Sequence, residues 1–345
     1  ARLLIGILST TPNIAVNLKG DHSLNKRSMK KLIYLMNKFG TAFHPKNRFN
    51  FPLKMTSSEI SSGIKYHAGV SAQLKSAVIL AGLNSYGKTE IVEDEKSRDH
   101  TENILINNKR VIKIKKKNKK IIEIFGKRQL KPIYMEVPGD PSSAAFFVAL
   151  TLLNKNSKIR IKNVGINRTR IGFYNLLKKQ KAKIKFLNLK KINNEIRGDI
   201  TAESSKLLPI KASKKYYVSA TDEYPILFVI AALTNGVSIF KGIGDLANKE
   251  SNRIKEMQKV LKQIGVKSSS TKNDLKIFGK GIIDASKKDI NIPNLGDHRI
   301  CMSSFILATI TGARIKINNF ETVYTSSPSF LKTMRLLGAK FEIKK

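Results

Sequence analysis

A strand, a turn, a helix and a second strand recur along this chain at intervals of roughly 70 to 80 residues, and self-similarity at one spacing marks a repeated supersecondary unit. In the first copy Ile14-Ala15-Val16-Asn17-Leu18 alternates, Gly20-Asp21 turns, residues 29–39 have helical spacing, and Gly40 stops the helix before Thr41-Ala42-Phe43. Later copies open at Thr89, Ile159, Val237 and Ile315. Two copies precede Pro138 and three follow it. Pro138-Gly139-Asp140-Pro141 permits a bend but not a continuing helix or central strand. The expectation is therefore two domains, 1–138 and 139–345, hinged near Pro138 to Pro141, with the first short of one copy. The chain also opens inside an apolar helix, so we expect a fragment or a chain truncated at its N-terminus. Between the halves, residues 111–114 and 122–124 read as a hairpin with a solvated Lys-rich tip, residues 115–120.

Five apolar helical runs begin behind polar residues. Ala1-Arg2 precedes residues 3–8, Ser71-Ala72-Gln73 precedes 74–83, Asp140-Pro141-Ser142-Ser143 precedes 144–153, Asp222-Glu223-Tyr224-Pro225 precedes 226–233, and Gly296-Asp297-His298-Arg299 precedes 300–308. One such segment is an ordinary capped core helix. Five of them, packed in parallel, would bring their positive ends together around small polyanions.

Composition narrows the class. At 345 residues with 41% apolar and 26% charged residues, the chain can bury a large core as a soluble globular protein. It shows no signal-peptide layout and no run long enough to span a bilayer. The single Cys301 excludes an internal disulfide and lies in an apolar run, while the five histidines are too scattered for a zinc pattern. A net charge of +39 suggests nucleic acid, but only 14 of the 64 basic residues are Arg. The lysines are spread over many faces, Lys, Asn and Ile are abundant throughout as in GC-poor genomes, and no RNA-binding signature is present.

Residues that can carry chemistry gather at helix starts. Lys249-Glu250-Ser251-Asn252-Arg253 packs two cations around a carboxylate that can move a proton. Asp222-Glu223 suits either general-base work or helix capping. His22-Ser23-Leu24-Asn25-Lys26-Arg27 places Lys and Arg in a turn, where a guanidinium can hold phosphate or carboxylate. There is no Walker loop, no complete dinucleotide fingerprint and no local Ser-His-Asp motif. Residue chemistry alone stops at a two-domain protein that binds small anions.

Seven motifs in order carry a resemblance. Asn25-Lys26-Arg27, Ser71-Ala72-Gln73-Leu74-Lys75-Ser76-Ala77, Arg98-Asp99-His100-Thr101-Glu102, residues 137–146, Asp222-Glu223-Tyr224-Pro225, Lys249-Glu250-Ser251 with Arg253, and Asp297-His298-Arg299 together resemble the 5-enolpyruvylshikimate-3-phosphate synthase family over nearly the whole chain. The Ser-Ala-Gln and Arg-Asp-His-Thr-Glu forms look like the branch that includes glyphosate-tolerant bacterial enzymes. The resemblance implies an α/β (α+β) fold, the inverse α/β barrel of enolpyruvyl transferases, with three βαβαββ units in a full domain and buried parallel helices. It implies transfer of the enolpyruvyl group of phosphoenolpyruvate to the 5-hydroxyl of shikimate 3-phosphate, in a cytoplasmic monomer that needs no cofactor or metal and has no membrane or nucleic-acid partner.

Carried over by position, Ser71, Ala72, Gln73 and Arg98 would hold shikimate 3-phosphate. Asp222 would act as base at the 5-hydroxyl with Lys249 assisting, and Glu250 would transfer the proton at the methylene carbon. Arg27, Gln73, Arg253 and Arg299 would hold phosphoenolpyruvate. The chain departs from the family pattern at Asn252, where Asp is usual and would help orient Arg253, and at Ser28 and Ser327. It also lacks the family's opening strand with its Lys-Ser and Arg, keeping only Ala1-Arg2 of the phosphate loop, so reduced turnover is expected. The competing readings are an enzyme like UDP-N-acetylglucosamine enolpyruvyl transferase, whose mobile-loop Cys has no equivalent here, and a basic nucleic-acid-binding protein on the same scaffold.

Overall fold

The computed structural model describes residues 1–116 and 118–344, so Lys117 of the expected hairpin tip lies outside the described residues, as does the side chain of His22. The chain divides into two compact units, residues 1–136 with 191–195, and residues 137–190 with 196–345.

In the first unit the order is α1 (Arg2–Ser9), β1 (Ala15–Leu18), α2 (His22–Lys26), α3 (Lys30–Lys38), β2 (Ala42–His44), β3 (Leu53–Thr56), β4 (Lys65–Ala68), α4 (Ala72–Asn84), β5 (Lys88–Glu93), α5 (His100–Leu105), β6 (Ile112–Lys116) and β7 (Lys120–Phe125). One sheet runs β1-β3-β2, all antiparallel; the other runs β4-β5-β7-β6, with only β4 and β5 parallel. The expected turn at His22 is a short helix, capped by the Asp21 carboxylate, which accepts the Leu24 N–H at 2.7 Å. The expected hairpin forms as β6 and β7. It completes the second sheet, because Ile112, Ile122 and Ile124 are apolar enough to be buried against α4.

α4 is apolar on all sides and buries Ala77, Val78, Ile79 and Ala81 fully, as a helix enclosed by other elements must. It packs against α1, α3 and the strands β4, β5 and β7. α1 differs from the expected buried helix. Ile5 and Gly6 face α4 closely enough that a Cβ at Gly6 would meet the Ala77 carbonyl at 2.5 Å. Leu3, Leu4 and Ile7 are exposed, since among the described residues α1 packs mainly against α4.

The second unit contains α6 (Pro141–Leu153), β8 (Lys158–Gly165), α7 (Gly172–Lys179), β9 (Lys183–Ile192) as far as Lys190, β10 (Glu195–Glu203) from Ile196, β11 (Lys211–Ala212), α8 (Tyr217–Ala220) and α9 (Tyr224–Ala232). It continues with β12 (Gly236–Phe240), α10 (Arg253–Gln263), β13 (Lys267–Ser270), β14 (Leu275–Gly279), β15 (Asp289–Ile292), α11 (His298–Thr311), β16 (Arg314–Ile317) and α12 (Phe330–Leu336). Three sheets result: β8-β10-β9, β11-β12-β14-β13, and the parallel pair β15-β16. Around them lie amphipathic helices such as α7 and α10, while α6, α9 and α11 fill the interior. Every residue of α9 is buried, and each of Ile226, Leu227, Phe228 and Val229 contributes roughly 1.5–3 kcal/mol by leaving water. Pro141 opens α6, where its missing N–H costs nothing, and Gly139 is bonded into β8 through Asn163 and Gly165.

Candidate active site

In the first unit, α1 and α4 start side by side. The Arg2 guanidinium donates to Gln73 Oε1, which places the leading ends of both helices together. Burial, and then the neighbouring Arg27, hold Arg2 below its ordinary pKa, so a second guanidinium stands near Arg2. Ser71 caps α4 by accepting the Leu74 N–H at 3.4 Å. Arg98 lies in the loop between β5 and α5, where Glu93 accepts from Ser97 N and Oγ at 3.1 and 3.0 Å. Thr101 then meets Ser76 of α4 at 2.7 Å. The fold thus brings Arg27, Ser71, Ala72, Gln73 and Arg98 onto adjoining segments.

In the second unit, the starts of α6, α9, α10 and α11 converge. Asp140 caps α6 by accepting Ser143 N–H at 2.9 Å, and its other oxygen accepts Arg170 Nη2 at 2.7 Å. The same Nη2 donates to Ser142 Oγ at 2.7 Å, and Ser142 in turn donates to Glu223. Glu223 is fully buried at the start of α9. Burial, then the adjacent Asp222, push its carboxyl up to about 7, with Ser142, Arg299 and Arg170 working the other way. Glu223 takes the N-cap position of α9 without a capping hydrogen bond to its side chain.

Arg253 opens α10 and is 2% exposed, which makes its partners decisive. Its Nε donates to Asp297 at 3.0 Å and its Nη2 to Glu250 at 2.7 Å. Ser251 Oγ donates to the same Asp297 oxygen at 2.9 Å. Asp297 also caps α11 by accepting Arg299 N–H at 3.0 Å, so one carboxylate joins the starts of two helices. The orientation of Arg253 therefore comes from Glu250 and Asp297. Asn252 has a different job: its amide oxygen accepts Lys255 N–H at 3.1 Å and caps α10.

Arg299 stands with its guanidinium 5.9 Å from the Phe146 ring centre, and its buried Nε has no hydrogen-bond partner among the described residues. His298 is lowered to about 4 by burial and then by Arg299, so it stays neutral at neutral pH. Lys249 is turned toward Asp245 at 2.7 Å, and Tyr217 OH donates to the same Asp245 oxygen at 2.7 Å. Cys301 is buried and its thiol is pushed up to about 12, as for an inert core residue.

The first unit thus gathers Arg, Ser and Gln, and the second Arg, Ser and carboxylates, at helix N-termini, where aligned peptide dipoles favour phosphate and carboxylate. Sequence reasoning missed Arg170, the Ser142–Glu223 contact and a buried group formed by Lys75, Glu93, Glu102 and Lys120. Arg170 follows Arg168 in a turn, and a second cation there was the available signal. Among the described residues no group of three or more His, Cys, Asp and Glu could hold a metal ion, and no helix is long and apolar enough to cross a membrane.

The model of the EPSP synthase (3-phosphoshikimate 1-carboxyvinyltransferase) family matches residues 1–334. A 3-phosphoshikimate 1-carboxyvinyltransferase of Zymomonas mobilis is 35% identical over 99% of this chain and 76% of its own length. That of Aquifex aeolicus is also 35% identical, over 96% of this chain and 76% of its own. A crystallised EPSP synthase from Acinetobacter baumannii superposes with a TM-score of 0.84 at 32% identity, covering 100% of this chain and 78% of that one. The enolpyruvyl transferase NikO from Streptomyces tendae, at 13% identity and a TM-score of 0.71, shares the fold. The chain belongs to the EPSP synthase family, the α/β enolpyruvyl transferases that move the enolpyruvyl group of phosphoenolpyruvate to shikimate 3-phosphate on the route to chorismate and the aromatic amino acids.

Proposed function

We propose that Asp222, Glu250 and Lys249 are the catalytic residues of this reaction. Ser71, Ala72, Gln73 and Arg98, with Asp222 and Lys249, hold shikimate 3-phosphate. Arg27, Gln73, Arg253 and Arg299 hold phosphoenolpyruvate. Both substrates carry a phosphate and a carboxylate, so several fixed cations are chemically required. The observation that carries the reading is Arg299: a buried guanidinium Nε without a protein partner, at a helix N-terminus, beside an Arg253 whose charge is already met by Glu250 and Asp297.

In the forward step Asp222 takes the proton of the 5-hydroxyl as its oxygen attacks C2 of phosphoenolpyruvate. Glu250 delivers a proton to the C3 methylene, which gives a tetrahedral intermediate. Loss of a proton from C3 to Glu250, with the proton held by Asp222 passing to the departing phosphate, expels phosphate and restores the enol ether. Arg253, bonded to Glu250, holds that carboxyl in place through both transfers. Lys249, which donates to Asp245 at 2.7 Å, is the cation assigned to assist the base.

We also read the chain as two enolpyruvyl transferase domains, 1–138 with about two units and 139–345 with three, and as a cytoplasmic monomer without a nucleic-acid partner. Part of the basic surface is already paired: Lys88 and Lys115 meet Glu123, Lys119 meets Asp94, and Lys158 meets Glu203. The test is a steady-state assay with both substrates and a parallel salt titration of RNA binding. Phosphate and enolpyruvyl product formed in equal amounts, only when both substrates are present, is the expected result. Absence of shikimate 3-phosphate binding together with tight, steeply salt-dependent RNA binding would overturn the reading.

A further inference from the structure

Four charged side chains form a buried alternating square in the first unit. Lys75, with its side chain fully buried, lies 2.7 Å from Glu93 and 2.7 Å from Glu102. Lys120 lies 3.1 Å from Glu93 and 3.0 Å from Glu102, so each cation meets both acids. The square joins α4, the end of β5, α5 and β7. Its corners balance in charge, yet one oxygen of Glu102 is buried without a partner. A buried ion-pair group of this kind is a poor source of stability, because desolvation offsets most of the attraction and apolar packing often does as well. What it supplies is position: opposite charges in a dry interior tolerate little sliding.

The position that it sets is that of Arg98. Glu93, one corner, also accepts from Ser97 N and Oγ, which closes the loop immediately before Arg98. Glu102, another corner, and Thr101, bonded to Ser76, hold the chain just after it. Lys75 and Ser76 are the two α4 residues that make these contacts, and they follow Ser71 and Gln73 within about one helical turn. Movement of one corner therefore shifts Arg98 against Ser71 and Gln73.

We propose that Lys75, Glu93 and Glu102, with Ser97, are positioning residues that set Arg98 against Ser71 and Gln73 for shikimate 3-phosphate. The proposal rests on the assignment of those three residues to that substrate. The square touches no substrate; it acts through the loop. Its effect belongs to shikimate 3-phosphate and leaves phosphoenolpyruvate, assigned mainly to Arg27, Arg253 and Arg299, largely untouched.

The experiment measures shikimate 3-phosphate affinity by calorimetry, and the KM for phosphoenolpyruvate by turnover, in the purified protein and in Lys75→Met, Ser97→Ala/Thr101→Val and Arg98→Ala. Lys75→Met is expected to weaken shikimate 3-phosphate binding by at least about tenfold while the phosphoenolpyruvate KM moves less than about twofold. A lower melting temperature with unchanged shikimate 3-phosphate affinity would overturn the proposal. Should Lys75→Met not fold, the double variant decides, since it removes only two hydroxyl contacts: a loss of about threefold or more supports the proposal and unchanged affinity overturns it. If Arg98→Ala leaves affinity unchanged, the underlying site assignment fails and this proposal with it. If Arg98→Ala weakens binding while Lys75→Met does not, the positioning role alone fails.

Discussion

The Arg253 guanidinium donates from Nε to the Asp297 carboxylate at 3.0 Å, with both side chains buried, and the pair ties the start of α10 to the start of α11. Removing one partner of a buried pair leaves an uncompensated charge, which typically costs on the order of 3–5 kcal/mol. Asp297→Ala also removes the cap of α11 and the acceptor of Ser251. Urea unfolding is expected to show a loss of at least about 3 kcal/mol; a loss below about 1 kcal/mol would remove Asp297 from this role.

Arg299 differs from Arg253 because its buried Nε has no protein partner among the described residues. Arg299→Ala is expected to raise the KM for phosphoenolpyruvate by more than about tenfold, with a smaller change in shikimate 3-phosphate affinity. Initial-rate kinetics with each substrate varied in turn provide the check, and an unchanged KM takes Arg299 out of the site.

Asp222 stands two residues before Tyr224, the first residue of α9. Asp222→Asn keeps the size of the side chain and loses the base, so the turnover number is expected to fall by roughly 10²–10⁴ while shikimate 3-phosphate binds nearly as before. Pre-steady-state rates and direct binding separate the two effects. Normal turnover would refute the assignment.

Glu223 sits higher than an ordinary carboxyl, at about 7 against 4.5, chiefly through burial. The folded state therefore holds this proton more tightly than the unfolded state. Its stabilising effect is fully present below about pH 4.5 and is lost as the pH rises to about 7, by an amount on the order of 3 kcal/mol. Glu223→Gln cannot ionise, so its melting temperature relative to the parent is expected to rise across that window. Parallel melting curves with the same pH dependence for both proteins contradict this.

Some features were legible because they are local. Ser71, Asp140 and Asp297 cap apolar helices, and a cap needs only the next few N–H groups. Gly40 ends α3 with a positive φ of 94°, which a glycine adopts without strain. Asn252 shows the limit of such reading. Its place beside Arg253 suggested a role in orienting that side chain, but partners across the fold hold Arg253 and leave Asn252 to cap its own helix. The exposed Leu3, Leu4 and Ile7 show another: an apolar run reads as buried whether or not a second surface reaches it.

The amino-acid order by itself determined the repeated units, the apolar helices with polar leading ends, and the seven motifs of the enolpyruvyl transferase family, because periodicity, capping and motif spacing are written within short stretches of chain. Only the tertiary structure decided which charges meet: Arg253 with Asp297, Arg170 through Ser142 to Glu223, and Lys75 with Glu93 and Glu102. Those partners lie 18 to 81 residues apart along the chain, and at such separations pairing follows from how sheets and helices pack around a shared core.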